Sequence, residues 1–307
     1  MYERLDGERA ARICAALGAL AIAFSSTWVQ LSHASASTAA IFRCAYAVPV
    51  LLVLALYEDR RYGPRAWQDR RAAVAGGVFM GIDLVLWDHS ITDVGVGLAT
   101  VLANIQVVLV PLIAWVAWAE QPTRRLLLAL PATVAGVLLI SGLIEHGAYG
   151  ADPAAGAAYG VSAGIAYVGA LLFLRRGGVD LRRPAGPLLD LTLAATVASG
   201  VIGVIWGDAR FIPVFPGAWW LITLALTSQV LGWLLITISL PRLPAALTSL
   251  LLMIQPVGSM ILGAVIFAEQ PSPLQLLGVV IVLTAVVLAS RGGINERDPE
   301  RVLEAVG

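Results

Sequence analysis

Long apolar runs, separated by short polar connections, make up most of the chain. A helix needs about 19 predominantly apolar residues to cross a bilayer. Ten segments meet this requirement, and we number them spans 1 to 10: residues 13–31, 39–57, 72–92, 94–118, 124–144, 154–174, 186–206, 216–239, 243–267 and 272–290. The runs are continuous and do not alternate with polar positions, so they predict helices and not barrel strands. We therefore expect an all-α integral membrane protein with ten transmembrane helices.

The composition agrees with a chain whose solvent is mostly lipid. Hydrophobic residues make up 59% of the sequence and charged residues only 13%, about half of the roughly 25% typical of soluble domains. The net charge is zero, which gives no indication of a nucleic-acid partner. There is no Lys, and all twenty cations are Arg, which favours a GC-rich bacterial genome as the source.

No cofactor or metal site is indicated. Cys14 and Cys44 both lie inside apolar runs, so they provide neither a disulfide framework nor metal-ligand spacing. The sequence also has no phosphate-binding glycine loop and no room for a soluble ATP-hydrolysing domain. We expect the partners to be a small-molecule solute and the surrounding lipid, and we expect the chain not to be an enzyme.

The distribution of Arg predicts the orientation. With a cytoplasmic N-terminus, 18 Arg fall on the inner side, Arg210 alone falls on the outer side, and Arg43 lies within span 2. Positive residues stay on the cytoplasmic side of a membrane, so both tails, 1–12 and 291–307, are expected in the cytoplasm. A cleaved signal peptide ending near Ala36 is the less favoured alternative, because the first apolar run has 19 residues and a signal peptide has roughly 7–15.

A repeated motif divides the chain into two halves. The pattern of residues 105–122, Ile-Gln followed later by Ala-Glu-Gln-Pro, recurs 149 residues further on in 254–271. Both copies end one span and begin the next, so we expect a first five-helix repeat over 13–144 and a second over 154–290. Because five is odd, the second repeat must insert upside down, as in many secondary transporters. The Pro and the following hydroxyl suit a helix start, and the next helix's N-terminus should stabilise the Glu.

Several stretches resemble the EamA-type transporters of the drug/metabolite transporter superfamily. They are Asp83–Trp87, Gly95–Asn104, Ala119–Pro122 and Gly136–Leu139, together with Arg43 in span 2. The resemblance covers essentially the whole chain and implies two five-helix repeats that export or import small metabolites. A His often follows the tryptophan of the family pattern, whereas here Asp88 follows Trp87 and His89 comes next.

Span 3 carries the ionisable residues of greatest interest. Asp83, Asp88 and His89 lie within it, and charges inside a membrane are functional candidates by default. Trp87 shares a face with Asp83, and Trp233 occupies a similar place in the second repeat. Arg43 in span 2 is expected to pair with Asp88 or Asp93 in a gate-like position. The candidate coupling or gate residues are Asp83, Arg43, Asp88 and His89.

Intramembrane amides supply further candidates. Gln106 and Gln255 are at the middle of spans 4 and 9, each with a Pro nearby that frees a backbone carbonyl. They line a solute site or, equally, hold the repeats together. Asn104 faces about 200° away from Gln106. The candidate substrate-binding residues are Asp83, Trp87, Asn104, Gln106, Trp233 and Gln255.

These features favour a secondary transporter that moves a small organic metabolite or drug-like solute across the cytoplasmic membrane by alternating access. A passive channel or facilitator is the alternative from a second class. A membrane-embedded enzyme is less favoured, because His89 is the sole intramembrane His and a catalytic set is hard to assemble around it.

Overall fold

The computed structural model describes residues 2–109, 124–145, 147–178, 180, 182–239, 243 and 251–292, and all regular elements within them are helical. The helices are α1 Tyr2–Ala23, α2 Ser25–Ser32, α3 Ala36–Tyr62, α4 Trp67–Val94, α5 Val96–Ala103, α6 Arg124–Ile140, α7 Pro153–Gly177, α8 Ala185–Trp206, α9 Gly217–Leu224, α10 Trp233–Ser239, α11 Ile254–Phe267 and α12 Pro273–Gly292. A π-helical segment, Ala225–Gly232, joins α9 to α10. The predicted all-α class is confirmed.

The helices correspond in order to the ten predicted spans. Six stretches are long and apolar enough to cross a membrane: Arg9–Ser32, Ala36–Tyr62, Trp67–Val94, Pro153–Leu174, Ala185–Trp206 and Gly217–Ser239. Four shorter apolar helices accompany them in the described parts of spans 4, 5, 9 and 10: Val96–Leu109, Leu127–Ile140, Ile254–Phe267 and Pro273–Leu288. Length and composition therefore support a multi-pass membrane protein.

Spans 4 and 9 are both interrupted, and the interruptions are repeat counterparts. The helix of span 4 breaks into a turn at Asn104, and that of span 9 breaks at Met253, 149 residues later. The Asn104 amide donates to the Thr100 carbonyl at 2.8 Å, and Pro256 lacks the N–H that would bond to Leu252. Pro111, which was predicted to free a backbone carbonyl in span 4, lies outside the described residues, and so does the first Ala-Glu-Gln-Pro copy.

Helix packing joins three spans of the first half to their counterparts in the second half. α3 packs against α8, α5 against α11 and α6 against α12, which joins spans 2 and 7, 4 and 9, and 5 and 10. The remaining large contacts also come in related pairs: α4 packs on α7 and α8, while α1 packs on α10 and α3 packs on the π-helical segment. This is the contact pattern of two similar halves related by an approximate twofold axis.

Reciprocal carboxylate caps fix the direction of the central pair. The N–H groups of Ala185 and Gly186, at the start of α8, donate to Glu58 near the end of α3 at 3.0 and 2.9 Å. At the opposite end, the N–H of Ser37 near the start of α3 donates to Asp208, just beyond α8, at 3.1 Å. Each helix therefore ends where the other begins, and α3 and α8 run antiparallel. Both carboxylates are placed at the positive end of a helix dipole.

The second copy of the repeated motif caps a helix other than the one expected. Glu269 accepts N–H bonds from Val96 at 2.6 Å and Gly97 at 3.1 Å, at the start of α5 in the first half. The expectation that the following helix would stabilise this carboxylate is thus wrong, because α5 and α11 pack together and bring the two ends into contact. Burial raises the pKa of Glu269, whereas the two N–H bonds act in the opposite direction.

The hydroxyl of the second motif copy does cap the next helix, as predicted. The N–H of Gln275 donates to Ser272 Oγ at 3.1 Å, and the N–H of Ser272 donates to Gln275 Oε1 at 3.0 Å. This reciprocal pair is a capping box at the start of α12. The amide of Gln275 also bonds the backbone of Tyr149, so it ties the connection before α7 to the second half.

Candidate functional site

A chain of hydrogen bonds crosses between the two halves at Arg43. This residue is only 4% exposed on α3. Its Nε donates to Gln229 Oε1 at 3.0 Å, and Gln229 Nε2 donates to Thr192 Oγ1 at 3.3 Å. Gln229 belongs to the π-helical segment and is fully buried, as is Thr192 on α8. The first half thus contributes the cation and the second half contributes two neutral partners.

The partners occupy repeat-related positions. Thr192 follows Arg43 by 149 residues, the same offset that separates the two motif copies. Gln229 precedes Trp233 by four residues, just as Asp83 precedes Trp87 by four. Arg43 and Thr192 are therefore counterparts on spans 2 and 7. Asp83 and Gln229 are 146 residues apart, and they occupy similar places on spans 3 and 8 relative to Trp87 and Trp233.

Aromatic rings enclose the polar atoms. The guanidinium carbon of Arg43 lies 5.7 Å from the centroid of the Trp87 ring, within cation–π range. The rings of Tyr167 and Trp233 meet edge to face with their centroids 5.9 Å apart. Tyr167 lies close enough to Asp83 and Arg43 to interact with both electrostatically. The structure therefore places Trp87 against Arg43, and it places Trp233 against Tyr167.

Two buried carboxyl groups belong to the same cluster. Asp83 is 6% exposed and Asp88 is 1% exposed, and the charge of Arg43 acts on both. We call Arg43, Asp83, Asp88, Thr192 and Gln229 the polar cluster. Neither oxygen of Asp88 has a hydrogen-bond partner among the described residues. The two carboxyl groups thus share one cation.

The expected direct pairing of Arg43 with Asp88 or Asp93 is wrong for this structure. Among the described residues, the hydrogen bond of Arg43 goes to Gln229 and to neither carboxylate. The physical reason is that Gln229 approaches the Nε side of the guanidinium from a helix of the other half, which sequence spacing on span 3 could not indicate.

His89 lies apart from the polar cluster, beside the start of α3. Its ring centroid is 4.7 Å from that of Trp206 and 5.4 Å from that of Tyr159. Its Nε2 is 3.7 Å from Asp208, the residue that caps α3. His89 therefore contacts the junction between α3 and α8 at the end opposite Glu58.

A cavity of about 820 Å³ opens at the same end of the α3–α8 pair, within the range of small-molecule sites. Its wall includes His33, Asp208 and Arg210 together with the rings of Phe42 and Trp220. Phe42 directly precedes Arg43 in α3, so one wall residue of the cavity is the sequence neighbour of a polar-cluster residue.

The predicted intramembrane amides lie at the interrupted helices. Asn104 is buried, and its amide bonds within its own helix. The Oε1 atom of Gln106 is buried without a partner among the described residues, and Gln255 is half-buried near the start of α11. No contact among the described residues joins these amides to Asp83. The helix α5, which ends next to Asn104, packs directly against α11, which contains Gln255.

Sequence reasoning missed Gln229, Thr192 and Tyr167. A signal for the first two was present, because Thr192 stands 149 residues after Arg43 and Gln229 stands four residues before Trp233. A systematic comparison of every intramembrane polar residue with its repeat counterpart would have found both. In the described part of the chain, no group of three His, Cys, Asp or Glu could hold a metal ion.

Two similar halves in one multi-pass chain, with buried charges between them, are a construction typical of membrane transport proteins. The family model described as "EamA-like transporter family" matches residues 10–142 and 154–291. The chain therefore belongs to the EamA-like transporter family, and it is a transmembrane transporter of the drug/metabolite transporter superfamily with the family's two-repeat architecture.

A solved structure described as "Crystal structure of protein" has a similar fold. The two share 13% sequence identity with a TM-score of 0.62, and the similarity covers 92% of this chain and 97% of that chain. At this identity the likeness shows the fold alone. No curated protein matches the chain.

Proposed function

We propose that this protein is a secondary transporter that moves a small organic metabolite or drug-like solute by alternating access. The observation that carries the proposal is the polar cluster, which both halves build and which Trp87 and Trp233 flank. Charges at this depth in a membrane cost several kcal/mol and mark solute and ion pathways. A cluster shared between two halves changes its contacts when the halves move against each other, which is what alternating access requires.

Each candidate residue receives a role in this proposal. The solute-binding residues are Asp83, Trp87, Asn104, Gln106, Trp233 and Gln255, and the coupling or gate residues are Asp83, Arg43, Asp88 and His89. Interrupted helices near the midplane expose backbone groups that bind solutes in other transporters, which supports the three amides. The contact of His89 with the cap of α3 supports a gating position.

The two halves, over 13–144 and 154–290, are proposed to insert in opposite orientations in the cytoplasmic membrane of a bacterium. The antiparallel arrangement of α3 and α8 supports this topology, as does the Arg distribution of 18 inside to one outside. Both termini then lie in the cytoplasm.

Cysteine labelling tests this topology. After removal of Cys14 and Cys44, single cysteines are placed at the motif counterparts Gln121 and Gln270. A membrane-impermeant maleimide should label Gln270→Cys from outside intact cells and label Gln121→Cys only after the cells are opened. Labelling of both from the same side would contradict the inverted arrangement.

Transport is tested with purified protein in liposomes and a ¹³C-labelled bacterial metabolite extract as the probe. With an imposed proton gradient or a trapped counter-solute, mass spectrometry should find at least one compound accumulated above its external level, at a rate that saturates as the extract is concentrated. Empty liposomes are the control. Flux that only equilibrates and never saturates would indicate a channel, and a chemically altered compound would indicate an enzyme.

A further inference from the structure

Gln229 uses both ends of its amide to join three helices. Its oxygen accepts from Arg43 on α3, and its nitrogen donates to Thr192 on α8. The side chain is fully buried, so water does not compete for either bond. An amide at this depth that satisfies its hydrogen bonds with two partners holds both in a defined geometry.

The backbone around Gln229 is unusual. The residues Ala225–Gly232 form a π-helical segment, whereas the counterpart region of the first half lies within the continuous α-helix Trp67–Val94. π-Helical turns are rare and frequently occur at functional sites. They also rotate the side chains that follow, so this segment sets the direction from which Gln229 approaches Arg43.

The bond to Gln229 competes with a stronger alternative. Arg43 interacts electrostatically with Asp83 and Asp88, and an ionised carboxylate attracts a guanidinium more strongly than a neutral amide does, because both groups are then charged. Nevertheless, the hydrogen bond of Arg43 among the described residues goes to the amide. The guanidinium therefore contacts the Gln229 amide and the face of the Trp87 ring.

We propose that Gln229 is a positioning residue that keeps Arg43 from pairing directly with Asp83 or Asp88. Both carboxyl groups then remain available to the solute or ion that is carried, while the nearby cation still offsets their charge. This inference rests on the proposed transport function. It predicts that loss of the amide lets Arg43 close onto a carboxyl group and block the binding position.

Three variants separate positioning from a merely structural role. Gln229→Leu keeps a similar side-chain volume but removes the acceptor for Arg43. Gln229→Glu keeps an acceptor at the same place and should rescue the position of Arg43. Thr192→Val removes the second bond in the chain but leaves the bond between Gln229 and Arg43.

The transport readout is the half-saturating extract concentration, measured apart from the maximal rate per folded molecule. Gln229→Leu should raise it about tenfold or more, as expected for a lost hydrogen bond to a charged group. Gln229→Glu, which keeps an acceptor for Arg43, should recover most of this loss, and Thr192→Val should raise the half-saturating concentration less than Gln229→Leu does, because the bond between Gln229 and Arg43 remains. A structural role alone predicts that Thr192→Val is as damaging as Gln229→Leu and that thermal stability falls without a change in half-saturation. That result would overturn the proposal.

A second measurement needs no solute, so it distinguishes failure of this inference from failure of the transport proposal. In ¹H–¹⁵N NMR spectra of the arginine Nε groups, the Arg43 resonance is assigned by its loss in Arg43→Lys. It should be protected from solvent exchange in the wild type and in Thr192→Val. It should shift to a carboxylate-bonded position in Gln229→Leu. An unshifted resonance in Gln229→Leu would contradict the proposal, and if that variant does not fold, Gln229→Asn, which is one methylene shorter, gives the same test.

Discussion

The two halves place different chemistry at the same point of the fold. On α4, Asp83 precedes the buried Trp87 by four residues, and in the second half Gln229 precedes the buried Trp233 by the same spacing. One member of this pair is a carboxyl group on a continuous α-helix, and the other is an amide on a π-helical segment. Arg43 and Thr192 differ in the same way, since the first half carries a charge where the second carries a hydroxyl.

This contrast shows that the two repeats pack their helices in similar ways but carry different polar side chains at corresponding positions. The helix pairs and the reciprocal caps need similar backbones, and both halves supply them. All the charges of the polar cluster come from the first half, while the second half supplies neutral hydrogen-bond partners. A neutral partner can position a charge without cancelling it. The asymmetry therefore fits a division in which the first half carries the charges and the second half positions them.

The largest effect is expected from Asp83→Asn, which makes both halves neutral at this position. If Asp83 carries protons, the variant should lose gradient-driven accumulation but keep counter-solute exchange. If Asp83 binds a cationic solute, both activities should disappear. The liposome assay with the labelled extract separates these outcomes, and Asp93→Asn at the end of α4 is the matched control. A folded Asp83→Asn protein with normal accumulation and pH dependence would remove Asp83 from the site.

The reciprocal caps allow a comparison of the two halves by stability. Glu58 accepts two N–H bonds at the start of α8, whereas the Asp208 side chain accepts one at the start of α3. Because a hydrogen bond to a charged group contributes about 1.5–3 kcal/mol, Glu58→Ala should lower the free energy of unfolding by about 2 kcal/mol or more, and Asp208→Ala by about half as much.

Thermal unfolding of the purified variants in detergent measures both effects of the caps. Glu58→Gln, which keeps a neutral acceptor, should lie between Glu58→Ala and the wild type. Equal stabilities for Glu58→Ala and Asp208→Ala would show that the number of capped N–H groups does not decide the effect.

A smaller effect is expected from Gln255→Leu near the break in span 9. Leu is favourable in a membrane helix, so the fold should persist with an unchanged melting temperature. Transport should fall several-fold, as expected for loss of about one polar contact. Gln106→Leu, its repeat counterpart in span 4, is the matched comparison. A Gln255→Leu protein that transports normally would leave this amide with a packing role.

The smallest effect is expected at Asp180, in the exposed connection between α7 and α8. Hydrogen bonds from Arg182 lower the pKa of Asp180 to about 2. A lowered folded pKa adds stability above the unfolded value of about 4, and that stability is lost as the pH falls towards 2. Asp180 is exposed, however, and solvent screens exposed pairs, so this contribution should be too small to detect and Asp180→Asn should leave the melting temperature unchanged above about pH 5. A clear loss of stability at pH 7 would contradict this expectation.

The sequence determined the architecture of this protein. Crossing a bilayer is a property of local hydrophobicity and length, so apolar runs alone predicted an all-α, multi-pass chain, and six helices of the described residues are long and apolar enough to span. The 149-residue offset between Gln106 and Gln255 indicates the two halves without any tertiary contact. Buried charges in span 3 likewise identified Asp83 and Asp88 as candidates, because lipid excludes unpaired charge wherever it occurs.

Only the tertiary structure decided which polar groups meet. Arg43 bonds to Gln229, 186 residues away in sequence, and not to Asp88 as the depths in spans 2 and 3 had indicated. Glu269 caps α5, 173 residues away, and not the helix that follows it. A hydrogen bond needs its two atoms within about 3 Å and correctly oriented. That geometry depends on how helices from separate halves pack, and no local property of the sequence contains it.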